Sequence, residues 1–164
     1  METEGFYMAE KRWRTWETVG LLVVLAAGNL LHFVYDWTGQ SPIAAPLAAV
    51  NESTWEHMKL LFFPMLVLVL FLFFKLPEQS PIPVALSIGT LVGLALIPIL
   101  FYTYTGVLGF SVMAIDIAIF YISVLGVFLT GWFLKDNREL ANRRGLLLTC
   151  LVTVSYTHLT LPTT

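Results

Sequence analysis

Long apolar runs constrain this chain more than any other feature, because their lengths suit helices that cross a lipid bilayer. Such a helix needs about 20 largely apolar residues. Runs of this kind fill most of the sequence between residues 16 and 134, and hydrophobic residues make up 57% of the chain against 12% charged. Soluble domains average about 45–50% apolar and about 25% charged residues. The sequence therefore predicts an all-α fold, a polytopic bundle of membrane helices.

About five transmembrane helices are predicted, in one domain over residues 16–154. Residues 1–15 form a segment before the first of them. The fifth apolar run is shorter than a span requires, which indicates a truncated helix. In the third helix, Ala85, Gly89 and Gly93 are spaced four apart, a pattern that lets helix backbones approach closely in lipid. The predicted helices are about 16–36, 55–74, 83–102, 109–134 and 145–154.

The distribution of basic residues predicts the orientation, because Lys and Arg are retained in cytoplasmic loops. With the N-terminus and segment 1–15 in the cytoplasm, only Lys59 lies outside. Loops 37–50 and 103–108 are then external, and the expected location is a bacterial inner membrane with the lipid bilayer as partner. A net charge of −2 without a basic stripe argues against nucleic acid as a partner. The eight cytoplasmic basic residues are Lys11, Arg12, Arg14, Lys75, Lys135, Arg138, Arg143 and Arg144.

The last ten residues differ in composition from the apolar run before them. Residues 155–164 are rich in threonine and end in Leu-Pro-Thr-Thr, where a fifth helix should continue. They resemble translated adapter sequence found on truncated reading frames. We therefore predict a non-native tail at 155–164 and give His158 no functional weight.

The first predicted helix carries a polar stripe near its far end. Asn29, His32 and Asp36 fall within an arc of about 60° on a helix, and Gly28 beside them would let another helix approach closely. Polar groups inside a span usually face the bundle interior and mark functional sites. A histidine and a carboxylate one turn apart can share a proton or bind a metal. The alternative is an ordinary interfacial helix end.

The segment from Asn51 to Lys59 is the densest polar group in the chain. Ser53 followed by Glu56 fits a capping box, with Asn51 as an alternative N-cap. Glu52, Glu56 and Lys59 fall within about 60° of one another on a helix, so Lys59 is expected to pair with Glu56. His57 points about 100° away from Glu56. Capping explains only part of this cluster, since it uses one carboxylate.

The fourth predicted helix carries a stripe of small and polar residues at seven-residue intervals. Gly109, Asp116, Ser123 and Thr130 form this stripe, which is expected to face other helices. Asp116 is predicted about two turns inside the membrane, where a carboxylate must be paired or protonated. Partners expected at that depth are His32 and Asn29, with Lys59 closer to the membrane surface. A structural hydrogen bond is the alternative. Tyr102 and Tyr104 are assigned to an interfacial aromatic belt.

Two motifs resemble a family of small bacterial membrane proteins of unknown function. They are His-Phe-Val-Tyr-Asp-Trp-Thr-Gly at 32–39 and Asn-Glu-Ser-Thr-Trp-Glu-His-Met-Lys-Leu-Leu-Phe-Phe-Pro at 51–64. The resemblance implies five spans and a bacterial membrane location, but no activity. In that family the last helix leads to a proline-rich end, which this chain lacks.

Most of the ionisable candidates fall in the predicted outer half, which suggests a polar chamber open to the outside. The preferred hypothesis is that it binds or transports a cation or small polar solute, or relays protons. One alternative is a metal-dependent hydrolase with a divalent metal such as Zn held by His32, Asp36 and Glu56. Another is a structural subunit without its own chemistry. The candidate site residues are His32, Asp36, Asn51, Glu52, Glu56, His57 and Asp116.

Overall fold

In the computed structural model, residues 2–51 and 53–143 are described, and all regular structure in this part of the chain is helical. The helices are α1 (Glu2–Trp37), α2 (Thr54–Lys75), α3 (Ile82–Leu108), α4 (Met113–Leu134) and the short α5 (Arg138–Ala141). The all-α prediction is therefore confirmed. Glu52, the predicted fifth helix at 145–154 and the tail at 155–164 lie outside the described residues, so the count of five stays a prediction.

Within the described residues, four helices are long and apolar enough to cross a membrane. They correspond to Glu17–Trp37, Thr54–Lys75, Ile82–Leu108 and Met113–Leu134. Many large apolar side chains on these helices are exposed, including Leu22, Ile99, Leu129 and Phe133. Monomeric soluble proteins rarely expose apolar surface on this scale. The fold is thus compatible with an integral membrane protein whose outer faces contact lipid.

Three predicted helix boundaries were wrong: α1 begins at Glu2 rather than at about 16, and the other two errors lie at the connection between α3 and α4. Helix α3 continues through residues 103–108, which were predicted as a loop, and α4 begins at Met113 rather than at 109. Gly109 ends α3 with a φ of 80°, and its N–H donates to the Thr105 carbonyl. A left-handed residue of this kind is a common helix end and favours glycine. Asp116 consequently lies in the first turn of α4, not two turns deep.

The four long helices pack in chain order, and α4 returns to contact α1. The α3–α4 pair has the most extensive contact, and the close backbone approach predicted from the spacing of Gly89 and Gly93 is made to α4. A Cβ on Gly89 would lie 2.4 Å from the Val127 carbonyl oxygen, and one on Gly93 would lie 3.0 Å from that of Ser123. The two backbones are therefore in direct contact at these glycines, an approach that only residues without side chains permit.

Gly28 has the same role where α1 meets α2 and α4. A Cβ there would lie 2.9 Å from the Leu60 carbonyl oxygen and 2.4 Å from Cζ of Phe120. The predicted close approach at Gly28 is thus confirmed. It brings the end of α1 that carries Asn29 and His32 against the first turns of α2 and α4.

The bundle has two ends that differ in chemistry. The end of α1, the start of α2, the end of α3 and the start of α4 share one of them, which we call the Asp116 end. The opposite end, which holds Lys75 and Lys135, is called the Lys75 end. Between them the core is apolar, with Leu61, Phe62, Met65, Val124 and Val127 fully buried.

Candidate functional site

A buried ion pair joins Glu56 and Lys59 at the Asp116 end. Glu56 is 0% exposed and Lys59 is 3% exposed. The Lys59 ammonium lies 2.8 Å from Oε1 and 2.9 Å from Oε2 of Glu56. Oε1 contacts the ammonium without a hydrogen bond, whereas Oε2 accepts a hydrogen bond from it. The predicted pairing of Lys59 with Glu56 is confirmed.

This ion pair also holds the loop between α1 and α2. The backbone N–H of Val50 donates to Glu56 Oε2 at 2.9 Å, and the Lys59 ammonium donates to the Ala45 carbonyl at 3.3 Å. Ala48 and Ala49, in the same loop, are buried. All of these partners belong to the protein, so the Glu56–Lys59 pair stabilises the loop between α1 and α2.

The capping box predicted at the start of α2 forms only in part. The Ser53 hydroxyl accepts from the Glu56 N–H at 3.3 Å, as expected of an N-cap. The reciprocal bond from the Ser53 N–H goes to Asn51 Oδ1 at 3.0 Å and not to Glu56. The predicted hydrogen bond from the Ser53 N–H to Glu56 is therefore absent, because the Glu56 carboxylate binds Lys59 and the Val50 N–H instead.

Asp116 is paired with a tyrosine on the neighbouring helix. The Tyr104 hydroxyl donates to Asp116 Oδ1 in a short hydrogen bond and accepts from the Val112 N–H at 3.1 Å. Because Asp116 lies in the first turn of α4, the helix dipole also favours a carboxylate there. Tyr104 binds Oδ1, and no side chain or backbone group among the described residues donates a hydrogen bond to Oδ2. Tyr104 thus contacts a candidate site residue, whereas Tyr102 is 65% exposed; the assignment of both to an aromatic belt stays a prediction.

Asp116 and His57 line one small cavity between α2, α3 and α4. The cavity has a volume of about 30 Å³, and Thr54 supplies a hydroxyl to its wall. A cavity needs roughly 10–15 Å³ to hold one water molecule. This space therefore accommodates about two water molecules or a hydronium ion, but not a solute of several heavy atoms. The remaining walls are apolar: Ile97, Phe101, Ile119 and Phe120.

Two histidines meet beside this cavity. The rings of His32 on α1 and His57 on α2 have centroids 5.5 Å apart. His57 Nδ1 lies 2.9 Å from the Ser53 carbonyl oxygen. Since a carbonyl only accepts, Nδ1 carries a proton, and Nε2 is the acceptor when the ring is neutral. The polar groups thus extend from α1 through α2 to α4.

The structure does not bring every candidate into this group. Asp36 is exposed at the end of α1, and no side-chain hydrogen bond joins it to another described residue. Asn51 is exposed and bonds locally to Ser53. Glu52 lies outside the described residues. Across residues 2–51 and 53–143, no three His, Cys, Asp or Glu side chains form a potential metal-binding group.

Sequence reasoning did not identify two tyrosines as hydrogen-bond partners of the polar residues. Tyr104 binds Asp116, and the Tyr121 hydroxyl on α4 accepts from Asn29 Nδ2 at 3.1 Å. The short connection between α3 and α4 was a usable signal for Tyr104. A tight turn makes the flanking helices antiparallel neighbours, so residues at similar distances from Gly109 face each other.

Comparison with known proteins adds the family but no activity. Searches of curated proteins and of solved structures found no match. A family model described as a family of unknown function, DUF6512, matches residues 6–163, a range that includes most of the predicted tail. The non-native origin of residues 155–164 stays a prediction, as do the two motifs as family features. Since the match covers nearly the whole chain, the protein belongs to the DUF6512 family of unknown function.

Proposed function

We propose that this protein is an integral membrane protein that binds a proton at the His57–Asp116 cavity and relays it among the polar groups of the Asp116 end. The observation that carries the proposal is the shared cavity itself. Two ionisable side chains from different helices, His57 on α2 and Asp116 on α4, line a space of about 30 Å³. A water molecule there would link the imidazole to the carboxylate.

The chemistry of the lining favours a proton over other ligands. Histidine is the side chain whose ordinary charge change falls between pH 5 and 8, and intramembrane His and Asp residues commonly form proton relays. The cavity volume is too small for a solute of several heavy atoms. A metal ion would need at least three convergent ligands, and the described residues supply no such group. His32, in ring contact with His57, extends the relay toward α1.

The positive-inside distribution supports an orientation in which the Asp116 end faces outward from a bacterial inner membrane, with the N-terminus and Lys75 in the cytoplasm. A fifth span at 145–154 belongs to the same proposal. Closer to the Lys75 end, the α3 and α4 backbones touch at Gly89 and Gly93. This close packing favours proton binding at the outer surface over a continuous channel through the bundle.

Infrared difference spectroscopy in nanodiscs tests the proposal directly. Acidification should produce a protonated carboxylic acid signal and imidazole ring signals in the full-length protein. Asp116→Asn should remove that carboxylic acid signal and alter the ring signals, because a shared water couples the two groups. His57→Gln should in turn shift the Asp116 signal.

Asp36→Asn is the matched control, since Asp36 is exposed and lies outside the cavity lining. It should remove a carboxylate without changing the imidazole signals. If Asp116→Asn leaves the imidazole signals unchanged, the two groups are not coupled and the proposal fails. The cluster would then be a structural hydrogen-bond network.

A further inference from the structure

An apolar groove runs along the outside of the bundle between α1 and α2. It encloses about 600 Å³, far more than the cavity beside Asp116. Leu47 from the α1–α2 loop closes it near the Asp116 end. Several lining side chains are strongly exposed, among them Val23 (54%) and Val67 (68%). The groove is lined on α1 by residues that include Val19, Val23 and Leu30, and on α2 by Phe63, Val67 and Phe71.

A lysine lies at the open end of this groove. The Lys75 ammonium sits over the ring of Phe71, 5.9 Å from its centroid, and Phe71 is the groove residue nearest the Lys75 end. No carboxylate among the described residues forms an ion pair with Lys75. The groove therefore combines a long apolar surface with a positive charge at the membrane surface.

From this combination we propose that the α1–α2 groove binds an anionic phospholipid. One acyl chain would lie between α1 and α2, and the phosphate would contact the Lys75 ammonium. An acyl chain matches the uniformly apolar lining, and an anionic headgroup matches the charge. Basic residues near a membrane surface attract anionic lipids by about 1 kcal/mol each.

The charge at Lys75 disfavours a second copy of the chain as the occupant. A two-fold contact centred on the groove would bring two Lys75 ammonium groups to the same end of the interface, where they would repel. The chain's own C-terminal part is the other occupant to exclude, and a cross-link to Cys150 detects it.

Lipid titration of the delipidated full-length protein, followed by native mass spectrometry, tests whether the Lys75 charge contributes to lipid binding. Lys75→Gln should weaken phosphatidylglycerol binding about fivefold, which corresponds to ~1 kcal/mol, and leave phosphatidylcholine binding unchanged. Lys135→Gln is the matched control. Lys135 lies at the same end over the Trp132 ring, 3.6 Å from its centroid, but outside the groove. Equal losses in both variants would overturn the proposal.

Filling the groove tests the position of the acyl chain. Val67→Trp should weaken binding of both lipids, whereas Val92→Trp should not, since Val92 is an exposed valine on α3 outside the groove. Equal effects of the two substitutions would contradict the proposal. In Val23→Cys, a cross-link to Cys150, the only native cysteine, would show that the chain's own C-terminal part fills the groove. A cross-linked dimer through position 23 would show a second copy instead. Either cross-link would overturn the lipid assignment.

Discussion

Glu56 and Asp116 are both acidic residues at the same end of the bundle, yet their surroundings differ in a way that separates structure from chemistry. Glu56 is fully buried and bound by Lys59 and by the Val50 N–H. Asp116 is half-buried, bound by Tyr104 through one oxygen, and borders a cavity of about 30 Å³. Both residues are candidate site residues in the sequence analysis. In the structure, only Asp116 of the two lines the cavity.

Access to a ligand distinguishes a carboxylate with a functional role from one with a structural role. A fully buried carboxylate whose partners all come from the protein is not accessible to a ligand from outside. Intramembrane carboxylates that serve function instead face a pathway or a water-containing space. Glu56 therefore belongs to the fold, and Asp116 is the stronger candidate for function.

The largest predicted effect is that of Glu56→Ala. It would leave the Lys59 ammonium buried without its counterion and release loop 38–53, a change expected to cost ~3–5 kcal/mol of stability. SDS-induced unfolding in mixed micelles measures the loss. The double variant Glu56→Leu with Lys59→Met should recover most of it, because apolar replacement of a buried ion pair is often close to neutral. A loss below about 1 kcal/mol in Glu56→Ala would assign the pair no structural role.

Gly89→Ala should have the next largest effect. Its Cβ would lie 2.4 Å from the Val127 carbonyl oxygen, so α3 and α4 would have to separate, at an expected cost of ~1–3 kcal/mol. Gly106→Ala is the control on the same helix, since a Cβ there meets nothing within 4 Å. The separation should also weaken the Tyr104–Asp116 contact, because both helices position it. Equal stabilities of the two variants would contradict the close packing at Gly89.

The sequence predicted those parts of the structure that depend on one helix at a time. The apolar runs gave the four described spans, and the spacing of Gly89 and Gly93 identified the face of α3 that meets α4. The Glu56–Lys59 pair was predictable because its residues lie one turn apart. Asp116 was placed too deep because residues 103–108 are polar enough to resemble a loop. Its partner Tyr104 depends on the α3–α4 register, which periodicity within one helix does not specify.

A double-mutant cycle between Tyr104 and Asp116 tests the partner that the structure assigns. Tyr104→Phe and Asp116→Asn should each lower stability by ~1–2 kcal/mol, with a coupling energy of ~1 kcal/mol in the double variant. The same cycle between His32 and Asp116 should give a smaller coupling, since Tyr104 is the direct partner. SDS unfolding measures both cycles. A larger coupling for His32 would support the His32–Asp116 pairing that the sequence predicted. It would also weaken the contrast between Asp116 and Glu56.

Asn29→Ala should have the smallest effect. The Asn29 amide donates to the Tyr121 hydroxyl at 3.1 Å and to the Leu25 carbonyl at 2.7 Å, and the side chain is exposed on the face of α1 that meets α4. Hydrogen bonds between membrane helices average about 0.6 kcal/mol, because the separated helices find other partners. Tyr121→Phe should therefore cost a similar amount, and the double variant should cost no more than either single one. A loss above about 2 kcal/mol in Asn29→Ala would exceed the range for a single such bond. Asn29 would then belong to the same coupled network as His32 and His57, and the polar cluster would extend further along α1 than the hydrogen bonds indicate.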